Sequence, residues 1–149
     1  EVLHEPGKLN DEQWEIMKQH PVIGERIVAR IPGLESVAQA IRHEHERWDG
    51  HGYPDGIKGD SIPLASRIVL VCDAFHAMTS ARPYREAMPV EDARAELVRH
   101  AGTQFDPVIV GALLSSLDLQ SDKDDAALDP AAAKLIDGKF EPSGALQSV

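Results

Sequence analysis

The run LASRIVLVCDAFHAMTS, residues 64–80, does most to limit the fold. Its centre, IVLV, suits a buried strand or a buried helix equally, because a short continuous apolar run carries no period of its own. Length separates the two. Seventeen residues pass without glycine or proline, longer than an ordinary strand of about 4–8 residues. A strand would also need a partner, and no other segment alternates apolar and polar residues convincingly. The run therefore predicts a helix, and the chain an all-α helical bundle.

The remaining segments agree. KLNDEQWEIMKQHP opens a helix in which Asn10 can cap the exposed amides and Gln13 can reach back, a capping box. Trp14, Ile16, Met17 and His20 make a ragged apolar side, and Pro21 ends or kinks the helix just after His20. VIGERIVARI places Ile23, Ile27, Val28 and Ile31 at helical spacing before Pro32-Gly33 stops it. In LESVAQAIRHEHERWDG, Leu34, Val37, Ala38 and Ile41 form a core-facing stripe. At about 100° per residue, His45 projects within roughly 20° of Leu34, Glu44 about 80° to one side and His43 about 180° away. Glu44 and His45 are thus expected to face the core, and His43 solvent. Residues 49–63, DGHGYPDGIKGDSIP, read as a loop. PVEDARAELVRHAGT and DPVIVGALLSSL complete the helices, the second with Asp106 as cap and Pro107 in its first turn. From Asp118 the chain is acidic and alanine-rich, and is expected to be a mobile tail with a helical turn or two around Ala131 to Ile136.

A formal net charge of −10 argues against a nucleic-acid polymer or an anionic membrane as partner. The single cysteine, Cys72, permits no internal disulfide, and no membrane segment or signal peptide is visible, so the expected location is the cytoplasm. The chain opens on Glu1 rather than methionine, and is expected to be a piece of something longer.

Polar groups stand where helical periodicity asks for core: His20 beside Pro21, His45 in its stripe, and Asp73 inside IVLVCDAF. An unpaired buried carboxylate would cost several kcal/mol. Imidazole and carboxylate together are ligands for zinc, manganese or iron. They are equally able to hydrogen-bond one another in a helical core, and residue types alone leave both readings open. Trp14 and Trp48 are expected as packing anchors, Cys72 as a small core side chain, and His4, His51 and His100 as surface groups, with Lys8 and Lys58 as ordinary surface charges. Asp49 is expected to brace the loop that Gly50, Gly52 and Pro54 shape.

HPVIG (20–24) and HERWDGHGYPDGIKGDSIPLASRIVLVCDAFHAMTSARPYR (45–85) resemble the HD-GYP subgroup of the HD metal-dependent phosphohydrolases. The likeness runs from HEPGKLNDEQWEIMKQHP to FDP at 105–107, so that residues 1–117 read as the C-terminal part of such a domain and 118–149 as the tail. The resemblance implies an all-helical bacterial signalling enzyme that uses two or more divalent metals, iron, manganese or similar, to hydrolyse cyclic di-GMP to pGpG or GMP. It implies metal ligation by His20, His45 and Asp73, a substrate-facing Tyr53, and phosphate or guanine contacts from Arg82 and Arg85. Glu44 stands where the family has the first of two histidines, still a competent metal ligand, and His76 replaces an aspartate of the following helix.

The family's His-Asp pair is not in this sequence. The reading is therefore of a domain lacking its N-terminal helices, with no certain catalytic residue of its own. It is expected to self-associate or bind its missing half, and to follow an upstream sensory or regulatory domain. The alternative function is a degenerate domain that binds nucleotide or protein without turnover. A third is a relative acting on another phosphoester.

Overall fold

The computed structural model describes residues 10–81 and 86–128. Every element among them is helical, as the long glycine-free run requires: α1 (Asp11–Met17), α2 (His20–Val28), α3 (Glu35–Arg42), α4 (Leu64–Thr79), α5 (Val90–Arg99) and α6 (Pro107–Leu128), with a 3-10 turn at Gly59–Ser61. Arg82, Arg85, His4, Lys8 and the turn expected near Ala131 lie outside the described residues.

The chain divides into two units, Glu1–Ala112 and Leu113–Val149. In the first, α2 packs on α3, α3 on α4 and α4 on α5. Its core is small: Ala38, Ile62, Val71, Ala93, Leu97, Phe105 and Val110 are buried. In the second, helix continues to Leu128, so the boundary read at Asp118 falls inside α6.

Asn10 and Gln13 make the capping box: the Asn10 side chain accepts from the Gln13 amide at 2.8 Å, and Gln13 Oε1 accepts from the Asn10 amide at 2.9 Å. Two elements begin or end where periodicity did not place them. α1 stops at Met17, and His20 opens a new helix with Pro21 in its first turn, the position where a missing N–H costs nothing. α3 stops at Arg42, ahead of the histidines, which lie in tighter turns: the Glu44 amide donates to Ile41 O and the Glu46 amide to His43 O, each three residues back.

That early stop overturns the projection for His43. It is buried, 8% exposed, with Nδ1 on Gln39 O at 2.8 Å and Nε2 on Asp55 Oδ2 at 3.0 Å. Asp73 and Cys72 reverse the other way and are exposed, since α4 shows part of its apolar surface, including Ile68 and Val69, to solvent. Trp14, expected to anchor packing, is 47% exposed, and His100, expected at the surface, is half-buried against Glu96.

Candidate metal centre and its loop

The first turn of α2 and the turn after α3 bring His20, Glu44 and His45 together. One ligand atom from each lies within 4.8 Å of the others. The two Nε2 atoms are 3.0 Å apart, and Glu44 Oε1 is 3.5 Å from His20 Nε2 and 3.9 Å from His45 Nε2. His20 Nδ1 is fixed 2.6 Å from Met17 O. A carbonyl only accepts, so Nδ1 carries the proton and Nε2 presents its lone pair to the cluster, the arrangement typical of a metal-ligating imidazole. Burial lowers the pKa of His45 below the ordinary histidine value, with Glu44 pulling upward, His20 pushing further down and Asp73 pulling upward. The donor set, two imidazoles and a carboxylate at a half-open surface, fits a divalent transition metal.

Asp73 is not part of that close cluster, but it lines one cavity of about 210 Å³ with Glu44 and His45. Its position on α4 faces the same space. Tyr53 stacks on His45, ring centroids 5.0 Å apart and planes at 24°, and burial, then Glu44, raises its pKa and keeps the phenol neutral. Arg82 and Arg85 fall outside the described residues.

Glu46 and Asp55, which spacing did not single out, hold the loop together with Asp49. Glu46, 1% exposed, accepts the amides of Asp55 and Gly56 on Oε1 at 2.7 and 3.0 Å. Asp55 in turn takes two hydrogen bonds from Arg42, at 2.7 and 2.9 Å, which hold its carboxyl below the usual range. The only hint in the sequence was indirect: a glycine- and proline-rich loop has many backbone donors and needs acceptors from elsewhere. Asp49 accepts from Arg47 Nε and Nη2 and from the His51 amide, and the Arg47 guanidinium holds it well below the carboxylate range. Gly52 passes so near the chain it has just left that a Cβ would sit 2.3 Å from Arg47 N and 2.5 Å from Glu46 Cα. From the far side, the Trp48 and Asp49 amides donate to Gln104 and Thr103 carbonyls. Arg67 lies 5.7 Å from the Trp48 ring centroid and donates to the buried Asp106, whose other oxygen caps α6 at the Val108 amide.

These features define a class: a helical protein whose inter-helix turn gathers imidazole and carboxylate beside a rigid loop. Residues 1–109 match the HD domain family. The chain belongs to that family, and its Gly52-Tyr53-Pro54 loop is that of the HD-GYP subgroup. It is 47% identical over 117 residues to a cyclic di-GMP phosphodiesterase response regulator of Xanthomonas campestris, covering 76% of this chain and 30% of that protein. A cyclic di-GMP phosphodiesterase of Thermotoga maritima is 45% identical over 115 residues, covering 76% and 31%. The 3'3'-cGAMP-specific phosphodiesterase 3 of Vibrio cholerae is 36% identical over 122 residues, covering 82% and 26%. The fold is also that of a Vibrio cholerae cyclic GMP-AMP specific phosphodiesterase crystal structure, with TM-score 0.64 at 23% identity over 86% of this chain and 30% of that one. The chain thus spans less than a third of the length of the relatives it matches.

Proposed function

We propose that this chain is the GYP-loop part of a metal-dependent phosphodiesterase that hydrolyses cyclic di-GMP to pGpG or GMP, in signalling in the bacterial cytoplasm. The carrying observation is the convergence of His20, Glu44 and His45, with His20 Nδ1 tied to Met17 O. The similarity to proteins named as cyclic di-GMP phosphodiesterases supports the substrate. In this reading His20, Glu44 and His45 would hold a divalent ion, and Asp73, which lines the same cavity as Glu44 and His45, would be a further ligand. A bound ion would supply Lewis acidity toward a phosphoryl oxygen and would lower the pKa of a water able to serve as nucleophile. The lowered pKa of His45 keeps its ring neutral for ligation, and Tyr53 presents a neutral phenol to the substrate side. Arg82 and Arg85 are assigned to phosphate or guanine, which a guanidinium fork suits.

Calorimetric titration of the chain with Mn²⁺ should show binding that His45→Ala removes. The longest natural polypeptide carrying this sequence should release pGpG or GMP from cyclic di-GMP when supplied with Mn²⁺ or Fe²⁺. Metal binding indifferent to His20→Ala and His45→Ala would overturn the site. Glu44, in place of a family histidine, favours a second reading, a domain that binds nucleotide without turnover. Tight binding of cyclic di-GMP with no product from the metal-loaded protein would select it.

A further inference from the structure

Three residues of α4, spaced by three, meet successive parts of the chain that leads into the loop. Asp73 lines a cavity with Glu44 and His45. Leu70 lines that cavity too, and a second one beside His45 and Arg47. The Arg67 guanidinium lies over the Trp48 ring, 5.7 Å from its centroid. Side chains three apart are neighbours on a helix surface, so one face of α4 runs along residues 44–48 in the opposite direction. Turning α4 by a single residue, about 100° and 1.5 Å, would carry Asp73 off that face. The end of the face away from Asp73 is pinned. Arg67 Nη1 donates to Oδ2 of the buried Asp106 at 2.8 Å and to Oδ1 of the exposed Asp60 at 3.1 Å. The Trp48 amide donates to Gln104 O at 3.1 Å, so the ring and the Asp106 carboxylate that hold Arg67 are joined through backbone. Ser66 Oγ donates to Ala40 O at 2.8 Å and ties the same turn of α4 to α3. Arg67 Nε is buried with no acceptor among the described residues, which counts against stability. What the guanidinium contributes is direction, since its plane is fixed by a ring on one side and a carboxylate on another.

We propose that Arg67 is a positioning residue of the metal centre: it fixes the N-terminal turn of α4 against Trp48 and Asp106, and so sets the register in which Asp73 meets Glu44 and His45. This rests on the reading above in which Asp73 is a further ligand. Arg67 touches neither the cluster nor a substrate. It acts at the other end of the same helix face, about 9 Å along the axis for six residues. Ser66 holds this turn to α3 independently, so loss of Arg67 leaves α4 packed and frees its register against residues 44–48.

Arg67→Met alone would strand the buried Asp106 carboxylate, so it is combined with Asp106→Asn, which keeps Oδ1 for the Val108 amide. The double variant should keep a urea midpoint near that of the parent chain, while its Mn²⁺ dissociation constant, from calorimetry, rises about tenfold. In an Asp73→Ala background the same double change should weaken binding no further, because a residue acting through Asp73 then has nothing left to place. Arg67→Lys keeps a cation beside Asp106 but loses the planar fork, and gives the same cycle should the double variant fail to fold. Equal losses with and without Asp73 would reduce Arg67 to general support of the fold and overturn the proposal, as would unchanged Mn²⁺ affinity in the folded double variant. If Asp73→Ala alone leaves Mn²⁺ affinity unchanged, the ligand role of Asp73 and this proposal fall together. Coupling of Arg67 to Asp73 in a protein that hydrolyses no cyclic di-GMP would support the positioning role and sink only the phosphodiesterase reading.

Discussion

At the scale of single residues, two carboxylates hold the loop in different ways. Glu46 is fully buried and serves two amides, so Glu46→Ala leaves donors without an acceptor at a cost of about 1–3 kcal/mol. Thermal unfolding should show the loss, and Glu46→Gln, which keeps an acceptor oxygen, should recover part of it. Asp55 sits nearer the surface, where its pairing with Arg42 contributes about 1 kcal/mol or less. Its folded pKa lies below the ordinary 3.8. The unfolded chain therefore takes up the proton first as pH falls, so the contribution is present above the ordinary value and disappears as pH drops through the lowered one. Urea unfolding of the parent chain and Asp55→Asn should differ at pH 6 and converge in strong acid. A constant difference across that range would mean that the carboxylate charge is irrelevant.

At the scale of elements, Gly52 is the tightest constraint, because backbone rather than a movable side chain occupies the space a Cβ needs. Gly52→Ala should displace the loop from residues 45–47, lowering the melting temperature by several degrees and weakening Mn²⁺ binding together. At Gly24 the obstacle is a side-chain methyl, Ile41 Cγ2 at 2.8 Å, so Gly24→Ala should be milder and act on α2–α3 packing alone. The elements themselves were legible from sequence wherever local chemistry decides them: the Asn10 capping box, the Asp106 cap, and the uninterrupted run of α4. Tertiary contacts hid the rest. Periodicity carried α3 through His45, but after Arg42 the chain tightens into i→i−3 turns, with the Glu44 amide on Ile41 O and the Glu46 amide on His43 O. His43 consequently turns inward to Asp55, an acceptor that only the returning loop delivers. Glu44 and His45 were placed toward the core by a projection that holds only up to Arg42, and both are partly exposed; Glu46, which is buried, was not singled out at all.

At the scale of the whole molecule, apolar side chains remain uncovered on the first unit. Ile23, Ile27 and Ile31 on and after α2, and Leu64, Ile68 and Val69 on α4, are exposed. Apolar surface of this extent is seldom left open in a lone soluble chain. Light scattering should therefore report a mass above 16.3 kDa, and Ile27→Glu should shift it toward that value. A monomer at every concentration would show that these side chains are tolerated singly. The loop has a different relation to the rest of the chain. Its bonds from Glu46 and Arg42 to Asp55 and Gly56 span separations of only 9 to 13 residues. Closing so short a segment costs little chain entropy and takes about 10–100 ns. His20 must instead wait for α2 to dock on α3. In pulse-labelled hydrogen exchange during refolding, the Asp55 and Gly56 amides should gain protection ahead of those in α2. That order of protection would mean that the site is built from its loop outward, with Glu44 and His45 placed before His20.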